Sequence, residues 1–311
     1  MFYNLSRVSH DIQPVLAVSN LRKVYDPARL KCRRGKVDRR KVAVRNFSLM
    51  VREGEVFGLL GHNGAGKTSA MKMVTSEEAV TGGRVEVTGM EVRGSQSSVY
   101  DQLGYCPQAD TLWQRLSPRE HLRLFARIRG VPERDIDGLV SNYLRGLHIE
   151  EHASKASRDC SGGTKRKLNY GIAMVGDPKI VLLDEPSTGM DPQSKRFVWN
   201  TISSSFRAGR GAILTTHSME EADAVCSKIG ILVKGELRCL GSSQHLKNKF
   251  GAGYLLEIKT KDWDTLLSQV EQLFPQAELV ESFSGYKTWS IRQVDVPSLT
   301  QAFMALQKCK L

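Results

Sequence analysis

Short apolar runs alternate with amphipathic stretches over residues 1–250. Val56 to Leu60, Ile180 to Leu183 and Ala212 to Thr215 are brief apolar runs bounded by polar residues. Runs this short and continuous predict buried strands. Pro118 to Gly130 carries Leu122, Phe125 and Ala126 at helical spacing. Pro192 to Ala208 opens with a proline, which suits the first turn of a helix. Strands alternating with helices predict an α/β fold, a mostly parallel sheet with helices on both faces. No apolar run approaches the roughly 18 residues needed to cross a bilayer. The opening residues, MFYNLSRVSHDIQ, hold no apolar core of signal-peptide length.

The pattern changes after Gly251-Ala252-Gly253. The tail predicts a strand (Tyr254–Thr260), a helix (Trp263–Phe274), two strands (Glu278–Phe283 and Thr288–Arg292) and a helix (Pro297–Gln307). This βαββα order is that of a ferredoxin-like βαββαβ unit without its last strand. The unit is therefore expected to be incomplete, and the chain a piece of a longer one or a truncated one. At roughly 150 residues per domain, 311 residues suit two domains. The expected division is an N-terminal extension (1–14), an α/β domain (15–250) and a small, partial α+β domain (251–311).

Charge follows the same boundary. The net formal charge of +12 is made up of +13 on residues 1–250 and −1 on 251–311. Such a balance suggests an anionic partner without saying which. Arg29 to Lys41 holds eight basic residues and one acid, Asp38. It reads as a solvated loop or as a face turned to phosphates or lipid head groups. The six cysteines are scattered, with no CxxC pair, and are expected to be free thiols rather than a zinc or disulfide framework.

Two segments carry chemistry. Gly61-His62-Asn63-Gly64-Ala65-Gly66-Lys67-Thr68 fits GxxxxGK[ST] between a predicted strand and a predicted helix. Its glycines let backbone N–H groups approach phosphates, and the helix that follows adds its positive N-terminal end. Lys67 is placed to reach the terminal phosphates and Thr68 to offer its hydroxyl to Mg²⁺. The second segment ends the apolar run Ile180–Leu183 with Asp184 and Glu185. Asp184 suits a hydrated Mg²⁺, and Glu185 could polarise an attacking water. The pair of segments points to phosphoryl transfer, which needs positioning and charge neutralisation more than covalent chemistry.

Cys160-Ser161-Gly162-Gly163-Thr164 precedes Asp184, and His217 follows it in TTHSMEEAD. With the glycine-rich loop, the order is similar to that of the ATP-binding-cassette (ABC) ATPases over residues 15–250. The resemblance implies a P-loop NTPase domain with a helical subdomain, and ATP and Mg²⁺ as cofactors. It implies adenine stacking on Tyr25, in LRKVYDP. Gln108, in GYCPQ, resembles the glutamine that touches Mg²⁺ and the attacking water. Ser161, Gly162 and Gly163 look like the signature that serves the ATP of an opposite cassette. Asp191, in STGMDP, resembles the loop linking the two sites, and His217 resembles the switch histidine at the γ-phosphate.

GYCPQADTLWQRLSPREHLRLFARIRG, CSGGTKRKL, LLDEPSTGMDP and GSSQHLKNKFGAGY look like the A subfamily of ABC transporters. Those are large chains with two membrane halves and two cassettes, each cassette followed by a ferredoxin-like regulatory domain. The resemblance implies an ATPase motor at the cytoplasmic face of a membrane. Its implied partners are a second cassette, transmembrane domains and a lipid substrate. The alternative expectation is the separate ATPase subunit of a bacterial-type exporter. A ribosome- or nucleic-acid-acting protein of the same family is disfavoured, because a single phosphate loop is present and no RNA-binding pattern appears. Cys160 and Thr164 stand where many cassettes have Leu and Gln. HASKASRD, before the signature, departs from the drug-exporter pattern.

Overall fold

The computed structural model describes residues 14–25, 41–92, 97–206, 209–250, 253–260, 263–283, 285–292 and 295. Most of the basic run Arg29–Lys41, most of the extension 1–14 and the expected helix Pro297–Gln307 lie outside the described residues. The chain divides into two compact units, Met1–Ser243 and Gln244–Leu311.

The first unit runs β1 (Leu16–Tyr25), β2 (Lys41–Val51), β3 (Val56–Leu60), α1 (Lys67–Val74), β4 (Gly82–Val87), β5 (Met90–Glu91), α2 (Ser97–Tyr100) and β6 (Leu103–Cys106). It continues with α3 (Pro118–Ile128), α4 (Glu133–Gly146), α5 (Gly162–Met174), β7 (Ile180–Asp184) and α6 (Pro192–Ser205). Then follow β8 (Gly211–Thr216), α7 (Met219–Val225), β9 (Lys228–Val233) and β10 (Glu236–Gly241), with α8 (Ser243–Phe250) at the boundary.

One sheet holds ten strands in the order β5-β4-β1-β2-β10-β9-β3-β8-β7-β6. The expectation of a mostly parallel sheet holds for only half of it. β6, β7, β8, β3 and β9 pair in parallel. β5, β4, β1 and β2 pair antiparallel. The parallel strands announce themselves because both faces are covered: all five residues of β7 are buried. The antiparallel strands have interrupted alternation. β1 is bulged against β2 between Val18 and Leu21 and twice more before Val24. Each bulge shifts the side-chain alternation by one, so no simple period survives in the sequence.

The sheet separates two cores. Val181 and Leu183 of β7 pack with the helical side, which includes Leu122, Ala126, Ile136, Val140, Leu144 and Leu168 from α3, α4 and α5. Ile180 and Leu182, on the opposite face, pack with Phe57, Leu59 and the α1 residues Ala70, Met71 and Met73.

α3 begins with a capping box. Ser117 accepts the Glu120 N–H, and the Glu120 carboxylate accepts the Ser117 N–H. One turn on, His121 is wholly buried. Its Nε2 accepts the Trp113 N–H at 3.0 Å, so its Nδ1 carries the proton and donates to the Ser117 carbonyl at 2.9 Å. Burial holds the imidazole pKa below its ordinary 6.5. The folded chain therefore binds fewer protons than the unfolded one just below that pH. The stability due to neutral His121 is complete above 6.5 and falls as pH drops through 6.5 toward the folded pKa. The expected slope is at most about 1.4 kcal/mol per pH unit. Melting temperatures near pH 7 and near pH 5.5 should fall less for His121→Gln than for the parent. Equal falls would show that His121 takes up its proton over the same pH range in the folded and unfolded chains, so that burial does not lower its pKa.

Beyond α8, all but the first residue of which falls in it, the second unit's described elements are β11 (Tyr254–Lys259), α9 (Asp264–Leu273), β12 (Glu278–Phe283) and β13 (Tyr286–Ile291). They form an antiparallel sheet in the order β11-β13-β12. Its core contains Ile258, Val270 and Trp289. The strand Thr288–Arg292 expected from the sequence begins two residues earlier, at Tyr286.

Candidate functional site

The glycine-rich loop connects the end of β3 to α1. Gly66 is the residue before α1, at φ 108°, and no side chain caps the helix. A Cβ on Gly66 would lie 2.6 Å from the Ala43 carbonyl, so this glycine is required by close approach to β2. Gly64, at φ 81°, needs glycine for its backbone alone, because a Cβ there would meet nothing within 4 Å. His62, Asn63 and Gly64 are exposed, and the free N-terminal N–H groups of α1 remain available to an anion. The Gly61 N–H donates to the Thr216 carbonyl at 3.2 Å, which ties the loop to the end of β8.

Lys67 folds back inside this loop. Its Nζ donates to the carbonyls of Gly61 at 2.6 Å and His62 at 3.3 Å. It also lies 3.5 Å from Oε1 of Glu185, with both side chains almost fully buried. Thr68 follows on α1, half-buried.

Asp184 and Glu185 end β7 beside β8, with Asp184 in register with Thr215. The Thr215 hydroxyl donates to Asp184 Oδ1 and accepts the Glu185 N–H at 3.0 Å. Asp184 Oδ2 is buried and accepts no hydrogen bond. Burial raises the Asp184 pKa above the ordinary carboxylate value, while the hydroxyls of Thr215 and Thr68 and the Lys67 ammonium act against it. A buried oxygen without a partner, on a carboxylate next to a hydroxyl, suits a hard cation that takes its remaining ligands from phosphate and water. Among the described residues, no group of three or more His, Cys, Asp and Glu could hold a metal by itself.

Glu185 is the junction of the site. Its φ of 48° is in the left-handed region, which L-residues rarely adopt. Its N–H donates to both the carbonyl and the hydroxyl oxygen of Thr215, and these bonds hold it there. Its Oε2 accepts from Gln108 Nε2 at 3.1 Å and from the Thr188 hydroxyl at 3.2 Å, and His217 Nδ1 is 3.5 Å away. The structure thus brings Lys67, Gln108, Glu185 and His217 together from four separated segments.

Tyr25 stands at the side of α1. Its hydroxyl donates to Glu78 Oε2 at 2.5 Å and is 3.2 Å from the Ser69 hydroxyl. Lys23 Nζ lies 4.9 Å from the centre of the Tyr25 ring and 3.1 Å from Glu78. The ring is held at its hydroxyl end by residues that no motif marked.

The remaining expected residues lie apart from this junction. Ser161 is the N-cap of α5, and its hydroxyl accepts the Thr164 N–H at 3.1 Å. Ser161 and Gly162 are exposed. Asp191 caps α6, accepting the Ser194 N–H at 2.9 Å. The starts of α5 and α6 are neighbours: a Cβ on Gly163 would lie 3.6 Å from the Ser194 hydroxyl. Among the described contacts none joins Ser161, Gly162, Gly163 or Asp191 to Lys67 or Glu185.

Thr215, Thr188, Glu78, Ser69 and Arg166 belong to the site or its supports and were not expected. Thr215 could have been found from the run Thr215-Thr216-His217 once β7 and β8 are paired in register. Glu78 could not, since 53 residues separate it from Tyr25.

The ABC transporter family matches residues 44–188. The chain is 44% identical over 275 residues to phospholipid-transporting ATPase ABCA3 of Homo sapiens, covering 86% of this chain and 16% of that protein. It is 40% identical over 309 residues to cholesterol transporter ABCA5 of Mus musculus, covering 96% of this chain and 18% of that protein. It thus spans less than a fifth of the length of these curated relatives. A solved ATP-binding subunit of an ABC transporter superposes with a TM-score of 0.65 at 25% identity, covering 76% of this chain and 93% of that one. A dimeric ATP-binding cassette in a post-hydrolysis state, bound to ADP and Pi, superposes with a TM-score of 0.65 at 18% identity, covering 73% of this chain and 98% of that one.

Proposed function

The chain belongs to the ABC transporter family, and from that premise we propose that residues 15–250 are the ATP-hydrolysing motor of a lipid transporter. The tail from Gly251 is proposed as part of a ferredoxin-like regulatory domain. The observation that carries the motor reading is the junction at Glu185. Four groups, from Lys67, Gln108, Thr188 and His217, meet one buried carboxylate.

Each residue has a task in this reading. Gly61 opens the loop that receives the phosphates of ATP, through the N–H groups of Asn63, Gly64 and Gly66 and the open N-terminus of α1. Lys67 has its ammonium inside the same loop and neutralises the terminal phosphates. Tyr25 stacks on adenine, its ring held by Glu78 and Ser69. Thr68, Asp184 and Gln108 would hold Mg²⁺, which would neutralise charge on the phosphate oxygens when bound. Glu185 takes up a proton from the attacking water, its orientation set by Gln108 and Thr188. His217 stands beside it to contact the γ-phosphate.

Ser161, Gly162 and Gly163 serve the ATP of a second cassette, and Asp191 lies in the loop that links the two sites. The exposure of Ser161, Gly162 and Asp191, and the separation of all four from Glu185, support this. Transmembrane domains complete the machine at the cytoplasmic face of a membrane. Closure is driven by contacts made only when two cassettes share ATP. Identity of 44% to a phospholipid-transporting ATPase and 40% to a cholesterol transporter favours a lipid transporter over a bacterial-type exporter subunit.

Sedimentation of the Glu185→Gln chain with and without Mg-ATP tests the pairing. An ATP-dependent dimer would mean that two copies complete both shared sites. A monomer that binds ATP would assign the second signature to a different cassette. A chain that binds no ATP would overturn the reading.

A further inference from the structure

Gln108 reaches Glu185 from a stretch with no hydrogen-bonded ladder of its own, the turn after β6. What shapes that turn comes from α5. Arg166 spans to it with both ends of its guanidinium. Nη1 donates to the Pro107 carbonyl at 2.9 Å and Nη2 donates to the Gln108 carbonyl. The Asn169 amide, nearly one turn on, donates to Asp110 Oδ1 at 3.1 Å. Arg166 Nε is 4.0 Å from that same oxygen, too far for a hydrogen bond, so the carbonyl contacts dominate. The Arg166 side chain is 10% exposed, which protects these bonds from water.

Two consecutive carbonyls on one planar fork leave the peptide between Pro107 and Gln108 little freedom to rotate. The Gln108 side chain leaves from that same residue and donates to Glu185 at 3.1 Å. The backbone of Gln108 is thus clamped from the signature helix while its amide touches the hydrolytic carboxylate. We propose that Arg166 is a positioning residue for hydrolysis. It holds Gln108 against Glu185 and ties the placement of α5, whose first residues face a second cassette, to the geometry of the cleavage site. This inference rests on the reading of Glu185 as the hydrolytic base.

Arg166→Met should lower kcat about tenfold, within the range known for misplaced catalytic groups, and leave the KM for ATP near the parent value. The KM should hold because the phosphate contacts lie at Gly61–Thr68. Arg166→Lys should recover part of kcat, since an ammonium can reach one carbonyl but lacks the fork. If Arg166 acts through Gln108, Arg166→Met combined with Gln108→Ala is no slower than Gln108→Ala alone. A double variant slowed by the full Arg166→Met factor, or Arg166→Met with the parent kcat, overturns the proposal.

Amide hydrogen exchange without nucleotide gives a test that needs no hydrolysis. Residues Gln108–Asp110 should exchange faster in Arg166→Met, with Lys67–Val74 unchanged. Parent-like exchange at Gln108–Asp110 overturns the clamp even in a chain that fails to cleave ATP. A parent that hydrolyses no ATP but shows the faster exchange on substitution would remove the hydrolytic reading and keep the clamp.

Discussion

Glu185→Gln is expected to slow ATP hydrolysis by roughly 10²- to 10⁴-fold, the range supplied by a positioned general base. The substitution keeps the shape of the side chain and an oxygen that can accept from Gln108 and Thr188, which now bond Oε2. It removes the negative charge and the basic site. ATP affinity should hold or rise, because Lys67, 3.5 Å from Oε1, no longer has a carboxylate competing with phosphate. Steady-state hydrolysis and nucleotide binding on the same preparation read the two effects separately. Turnover at the parent rate would remove Glu185 from the mechanism.

The second large effect is expected from Lys67→Ala. Truncating one partner of a buried, hydrogen-bonded charge pair costs about 2 kcal/mol or more, so ATP affinity should drop by roughly 30-fold or more. Stability should also fall, since Glu185 is left buried with less positive charge beside it. Breaking buried pairs costs about 3–5 kcal/mol. The loss should lie at the low end, because Gln108 and Thr188 still donate to the carboxylate. Adding Glu185→Gln to Lys67→Ala separates the two contributions. The double variant should regain thermal stability but not ATP affinity. A Lys67→Ala chain that binds ATP like the parent would show that the ammonium stays with Gly61, His62 and Glu185 when nucleotide is present.

Asp184 and Glu185 were legible from the apolar run that they close, whereas Gln108 and His217 were legible only through the resemblance of GYCPQ and TTHSMEEAD to the family. Tyr25 was legible as an aromatic, but its restraint by Glu78 and Ser69 was not, since those contacts cross from β1 to the first turn of α1 and to the segment after it. The four antiparallel strands were missed for a different reason. Their pairing carries bulges, and bulges erase the period of two by which a half-buried strand is recognised.

What the sequence determined alone is local chemistry. Residues 61–68 dictate their own loop, because two residues at positive φ demand glycine whatever surrounds them. The apolar runs at β3, β7 and β8 dictate buried parallel strands for a similar reason, since burial on both faces admits no polar interruption. Which carboxylate meets which cation was decided only by the tertiary structure. Lys67 meets Glu185, Thr215 joins Asp184 to the Glu185 backbone, and Arg166 holds the Gln108 peptide. These contacts depend on strand order and on the packing of α5 against the turn after β6. Such packing is set by many weak apolar contacts spread over the chain, and no spacing along the sequence records it.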